Sequence, residues 1–136
     1  MAKRRITDVE GIGKKWAQAL STASITNTDQ LLESGATRAG RGKLAKETGL
    51  SEAQILKWVN MCDLFRIKGI AGQYAELLEA AGVDTVKELR TRNAENLAAK
   101  MKAVNDDKNL TRQVPGVNAV ANWIDQAQDL PPKVTY

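Results

Sequence analysis

Residues 9–31 and 67–89 carry one pattern twice. Aligned at a shift of 58 with no gap, six of 23 positions are identical: Gly11/Gly69, Ile12/Ile70, Ala17/Ala75, Leu20/Leu78, Ala23/Ala81 and Leu31/Leu89. Chance gives about one or two, and Val9/Ile67, Trp16/Tyr74 and Ile25/Val83 add chemical matches. The copies also end alike: Trp58-Val59-Asn60 followed by Asp63-Leu64 echoes Trp123-Ile124-Asp125 followed by Asp129-Leu130. The larger shift of this second match places a few extra residues in the second copy, around Asn105–Gln113. A unit of roughly 60 residues is used twice, which divides the chain into 1–63 and 64–136. Each half must therefore supply the same set of elements.

The punctuation of each copy is helical. Lys14–Ala23 and Gly72–Ala81 place apolar residues at three- and four-residue spacing, and Gly82 stands where a helix ends in a left-handed cap. Asn27-x-x-Gln30 and Thr85-x-x-Glu88 have the capping-box pattern, in which a polar side chain satisfies an amide one turn into the helix. They predict short helices over 28–34 and 86–92, followed by third helices over 38–48 and 93–104. Ser51-x-x-Gln54 predicts a long helix over 51–67 that enters the second copy directly and belongs to both. In the second copy Pro115-Gly116 stands where Leu50-Ser51 stood, and the helix after it must stop before Pro131-Pro132. No stretch sustains the apolar–polar alternation of a strand, so the fold class is all-α. Met1–Val9 is too short to give the first copy a matching arm, and the C-terminal helix near 117–129 is expected to cover the face left open there.

The side-chain inventory removes most chemistry. Without a histidine, neither a Ser-His-Asp nor a Cys-His nucleophile pair can be assembled, and no His-ligated metal site. The single Cys62 excludes an internal disulfide and any multi-cysteine zinc site. Flanked by Trp58, Val59, Met61, Leu64 and Phe65 it reads as a buried, inert thiol. No catalytic residue, metal or cofactor is expected. With 43% hydrophobic and 26% charged residues the chain has a globular balance. Its longest uncharged stretch, Trp16–Thr28, is shorter than the roughly 20 residues of a membrane span. Asp8 and Glu10 fall where a signal peptide would turn apolar, so a cytoplasmic protein with no membrane partner is expected.

Charge points weakly to polyanions. Twenty basic and 16 acidic residues leave +4 and a pI near 9.3. Residues 1–63 hold ten basic against seven acidic side chains, residues 64–136 ten against nine. Two clusters stand out, Lys3-Arg4-Arg5 and the set Arg38, Arg41, Lys43 and Lys46. They read equally as a solvated basic face or as phosphate contacts.

The sharper signal is Ile6-x-x-Val9-x-Gly11-Ile12-Gly13-x-x-x-Ala17-x-x-Leu20, the spacing of two helices joined by a tight hairpin. Glycine serves where the backbone bends unusually, Ile12 plugs the space between the helices, and Ala17 lets them approach. Such a turn leaves unpaired N–H groups at the start of the second helix, with the positive end of the helix dipole behind them, which suits a phosphate. Lys14 and Lys15 follow directly and add charge. In the second copy, Leu64-x-x-Ile67-x-Gly69-Ile70-Ala71-x-x-x-Ala75-x-x-Leu78, Ala71 replaces the second glycine and Gly72, Gln73 and Tyr74 replace the lysines and Trp16. That hairpin reads as the more structural of the two, with Arg66 and Lys68 keeping it positive. Trp16, Tyr74, Trp58 and Trp123 recur at equivalent positions, the pattern of core packing in a duplicated fold rather than of base stacking. The Pro131-Pro132 tail with Tyr136 reads as an extended arm, against the protein's own surface or a partner's.

These hairpins resemble the helix-hairpin-helix superfamily. More closely, the chain is similar to the bacterial family called domain of unknown function 4332. The resemblance rests on the Glu10–Gly13 hairpin, on Asp63–Ile70 with Tyr74–Thr85, and on the ending Trp123-Ile124 … Leu130-Pro131-Pro132 … Thr135-Tyr136. It implies two tandem helix-hairpin-helix units packed together, of the SAM-like, pentahelical double-hairpin type, in which Thr48–Ser51 and Val114–Val117 are partner hairpins. It also implies non-catalytic, sequence-independent binding of DNA. Carried over residue by residue, that binding falls on Gly11, Ile12, Gly13, Lys14 and Lys15, with Gly69, Ile70, Ala71 and Gly72 as the lesser set. Arg38, Arg41, Lys43 and Lys46 stand as supporting charge. The phosphate logic applies to RNA as it does to DNA. In repair glycosylases of the superfamily a lysine near the position of Lys15 is the nucleophile, but this chain is too short to supply the second lobe that holds a flipped base. The alternative is a protein–protein interaction or scaffolding module on the same helical fold, which calls for an exposed apolar patch. The sequence fixes neither the natural partner nor an oligomeric state.

Overall fold

Side chains decide where five of the helices begin. In a computed structural model that describes residues 5–9 and 11–136, Asn27, Thr37, Ser51, Thr85 and Asn93 each accept a hydrogen bond from an amide one turn ahead, those of Gln30, Gly40, Gln54, Glu88 and Asn96. After a single 3-10 turn at Ile6–Asp8, the chain forms α1 Lys14–Thr22, α2 Thr28–Ser34, α3 Arg38–Thr48, α4 Glu52–Leu64, α5 Gly72–Ala80, α6 Val86–Leu89, α7 Ala94–Lys108 and α8 Val117–Gln128. The described residues are all-α, and the order α1–α4 is repeated by α5–α8.

The helix α4 is the axis of the packing. Its residues Trp58–Leu64 are buried without a break, so it has no solvent face over its second half. The helices α2, α3 and α5 pack on it, α1 packs on α3, and α8 packs on α7 and α6. Cys62 lies inside this packing, where burial, reinforced by Asp29 and Asp63, pushes its thiol well above the ordinary range. Among the described residues no helix is long and apolar enough to cross a membrane.

Three expectations needed correction. The linking helix ends at Leu64 rather than 67, because the amides of Arg66 and Ile67 turn back to Asp63 and Leu64 ahead of the hairpin. The helix α6 stops at Leu89 rather than 92, since the amides of Thr91 and Arg92 bond three residues back, to Glu88 and Leu89, before Asn93 caps α7. The helix α8 does not cover the first hairpin. It packs within its own half, and the first hairpin is covered by Trp58 of α4. The extra residues of the second copy lengthen α7 to Lys108 and form a loop clipped by Asn105, whose Oδ1 accepts the amides of Leu110 and Thr111 while its Nδ2 donates to Thr111 O.

Two polar features tie the halves together. Asp63, 1% exposed, accepts from Arg66 Nε at 2.9 Å and Nη2 at 2.7 Å through Oδ1, and from the first amide of α6, Val86 N–H, at 2.8 Å through Oδ2. The carboxylate thus neutralises a buried guanidinium and caps a helix across the core. The second feature is the extended arm, residues 130–136, which lies on the protein's own surface as a strap. Its carbonyls at Leu130, Pro131 and Thr135 accept from Arg90 at 2.9 Å, Arg66 at 2.8 Å and Arg41 at 2.7 Å. Thr135 N–H donates to Ala36 O at 2.8 Å, and the Tyr136 hydroxyl donates to Asp84 at 2.8 Å.

Candidate nucleic-acid interface

The two hairpins have one backbone. Gly11 and Gly69 adopt φ +94° and +101°, values L side chains rarely take. A Cβ built at Gly11 would stand 3.3 Å from Trp58 Nε1, and one at Gly69 2.9 Å from Trp123 Nε1. Each glycine therefore lies under the tryptophan of its own half, which explains why these aromatics recur at equivalent positions. The amides of Ile12 and Ile70 turn back to Val9 O and Ile67 O, and both side chains are buried plugs. Of the expected contact residues these two can offer backbone only.

The next residue in each copy opens a helix. Gly13 and Ala71 are extended, at φ −89° and −106°, and accept the amides of Ala17 and Ala75 at 2.9 Å. Among the described residues no side chain caps either helix, in contrast to the five capped starts. Gly13 is not required by the fold, since its φ is ordinary and a Cβ there would meet nothing within 4 Å. Ala71 demonstrates the same point in the second copy. Among the described residues the Cβ position of Gly13 is thus open space beside the first turn of α1, and that turn carries no acidic residue. Lys14 and Lys15 are exposed there, and Lys15 Nζ lies 4.8 Å above the ring of half-buried Trp16.

The start of α5 is built differently. Ala71, Gly72, Gln73 and Tyr74 line a cleft of about 510 Å³ whose other walls are Asp8 and the loop Thr111–Gln113. A carboxylate of the first half and the exposed Arg112 thus share this cleft with the start of α5. Tyr74 is held in place, its ring 5.5 Å from Trp123 and its hydroxyl donating to Gln113 O at 3.2 Å. Arg66 adds no positive surface, because it is buried against Asp63. Lys68 is exposed, with its backbone clamped on both sides by the Gln126 amide.

Of the supporting cations, Arg38, Lys43 and Lys46 are exposed and line one groove of about 750 Å³ on α3, which also holds Glu52. Lys43 Nζ lies 3.9 Å from Glu47. Arg41 is a correction to the expected set. It is 4% exposed, donates to Gly35 O, Ala36 O and Thr135 O, and works as a fastening for the strap. Burial is also the main cause lowering its pKa. The N-terminal cluster is described only at Arg5, exposed and 3.9 Å from Asp8, while Lys3, Arg4 and Glu10 lie outside the described residues.

The two segments expected as partner hairpins differ. At Thr48–Ser51 the helix start is closed by Ser51, whereas at Val114–Val117 the helix α8 starts from Gly116 with no side-chain cap and open space at the Cβ position. Sequence reasoning missed Arg112 and the open start at Gly116. The second carried a legible signal, glycine standing where Ser51 stands in the first copy. Among the described residues no three of Cys, Asp and Glu gather into a metal-holding group. The model of a family described as "Domain of unknown function (DUF4332)" matches residues 10–130. No curated protein and no solved structure matches the chain.

Proposed function

The chain belongs to the DUF4332 family, whose description names no activity, and on its own geometry we propose that it is a non-catalytic, sequence-independent nucleic-acid-binding module of helix-hairpin-helix type. A phosphate of duplex DNA sits on the first amides of α1, with Lys14 and Lys15 beside it and the exposed cations of α3 as outer contacts. The observation that carries this reading is the open start of α1. Among the described residues no side chain caps its amides and nothing crowds the Cβ position of Gly13, and two exposed lysines open the helix in a turn with no acidic residue. The helix α1 packs directly on α3, where Arg38, Lys43 and Lys46 are exposed. The start of α5, which shares its cleft with Asp8, is the lesser contact. A scaffolding role would call for an exposed apolar patch. Among the described residues the large apolar side chains left exposed are Val117 and Tyr136.

The test is fluorescence anisotropy of labelled duplex DNA at two salt concentrations, with the wild type and a Lys14→Glu/Lys15→Glu variant. Micromolar binding that weakens with salt is expected, together with loss of about 2 in the log–log salt slope for the variant. Equal binding by both proteins would move the interface away from the first hairpin. No binding at low salt would refute the reading and leave a protein partner as the alternative. RNA of the same length serves as the parallel titration.

A further inference from the structure

We propose that residues Val134–Tyr136 of the strap are a latch that withholds Arg41 from the basic face of α3, and that a nucleic-acid phosphate takes the place of the Thr135 carbonyl when the latch opens. This inference rests on the nucleic-acid reading above and adds regulation to it.

Arg41 is the buried member of a four-cation set whose other three members are exposed. Buried guanidiniums are ordinarily paired with carboxylates, as Arg66 is with Asp63. Every hydrogen-bond acceptor of Arg41 is instead a neutral carbonyl. The geometry divides its donors in two. Nη1 is anchored on Gly35 O at 2.9 Å and Ala36 O at 3.2 Å, within the turn between α2 and α3, and this fixes the side chain whether or not the strap is in place. Nη2 alone reaches the strap, at Thr135 O. Opening the latch therefore presents an already oriented donor group on the same helix as exposed Arg38. A phosphate oxygen accepting from Nη2 pairs the guanidinium with an anion where the strap offers only a neutral carbonyl, and so adds charge–charge attraction to the hydrogen bond.

The latch is suited to opening. Thr135 and Tyr136 are exposed, and half-buried Val134 is the one apolar anchor past the prolines. Five hydrogen bonds hold it: Arg41 to Thr135 O, Thr135 N–H and, at 3.4 Å, Thr135 Oγ1 to Ala36 O, the Tyr136 hydroxyl to Asp84, and Asn60 Nδ2 to the Tyr136 hydroxyl at 3.4 Å. Upstream, Arg66 and Arg90 hold the carbonyls of Pro131 and Leu130 independently. Residues 134–136 can thus lift while the body of the strap stays in place.

The experiment uses the full chain with Ala36→Cys/Thr135→Cys, which locks the latch when oxidised and releases the lock when reduced; buried Cys62 takes no part. Thr135→Pro/Tyr136→Phe, which removes the amide to Ala36 and the hydroxyl to Asp84, is the permanently weakened form and carries the test by itself if the disulfide does not close. Duplex DNA is titrated by anisotropy at several salt concentrations. The reduced and weakened forms should bind at least about threefold tighter than the oxidised form, with a salt slope steeper by about 1, one additional phosphate. Where only the weakened form is at hand, wild type is its reference. Equal affinities and slopes in all forms overturn the latch and leave the nucleic-acid reading standing. No binding in any form overturns both.

Discussion

Gly69→Ala tests the hairpin geometry directly. At φ +101° an L side chain costs about 1–2 kcal/mol through the clash of Cβ with the backbone. The new methyl would also lie 2.9 Å from Trp123 Nε1, a contact that cannot persist. The ring cannot step aside freely, because Trp123 is 4% exposed and packs on Tyr74. Forcing such a shift costs about 1–3 kcal/mol. Alanine restricts the unfolded chain and returns about 0.4–1 kcal/mol, leaving a net loss of about 1–4.6 kcal/mol. Two glycines of the first hairpin calibrate the result. Gly11→Ala shares the φ cost but meets Trp58 at 3.3 Å, so it should cost less. Gly13→Ala meets nothing and should stay within about 0.5 kcal/mol of wild type. The assay is urea unfolding followed by tryptophan fluorescence, with an unchanged slope confirming that both end states are preserved. A Gly69→Ala variant as stable as wild type, or a Gly13→Ala variant equally damaged, would refute the reasoning.

Ser24 stands at the repeat position of Gly82 and adopts φ +66° where Gly82 has +95°. Ser24→Gly should therefore stabilise the protein by about 0.5–1 kcal/mol in the same urea assay, and a loss of stability would show that the serine is there for another interaction. Asp63→Ala strands the buried Arg66 guanidinium and the first amide of α6, and should cost about 3–5 kcal/mol; a change under about 1 kcal/mol would mean the core rehydrates there. Burial first, and then the hydrogen bond to Asp84, push the Tyr136 hydroxyl up to about 12 from its ordinary 10. Because the folded-state value is the higher one, its contribution to holding the strap is complete below pH 10 and is lost as pH rises from 10 towards 12. A Tyr74→Phe variant leaves Tyr136 as the sole tyrosine, and its phenolate absorbance should then titrate near 12. A midpoint near 10 would show that the hydroxyl has no partner in solution.

The helices were legible because their starts are written in local side chains. Asn27, Thr37, Ser51, Thr85 and Asn93 each satisfy an amide within one turn, so the information is contained in four consecutive residues, and α2 and α3 begin and end where the sequence predicts. The ends of α4 and α6 were less legible, since both are set by the hairpin and turn that follow. The repeated pattern was visible as identities at one shift, and the structure places a glycine of each copy beneath a tryptophan, Trp58 or Trp123. The sequence could pair those tryptophans with each other but not with the glycines, because 47 and 54 residues separate the partners along the chain.

By itself, then, the sequence determined what is short-range: the helical class, the caps, the two hairpins and the positive turn at Lys14 and Lys15. Charges were where it misled. Arg41 and Arg66 look like surface cations in a string of letters, and nothing within a turn of Arg41 says otherwise. One is closed beneath Thr135, 94 residues away, and the other is held between Asp63 and Pro131, 65 residues away. A formal charge is a property of the residue, whereas its availability to a ligand depends on which neutral or anionic groups the fold brings against it. Only the tertiary structure decided that, and with it that Asp8 of the first half shares a cleft with the second hairpin.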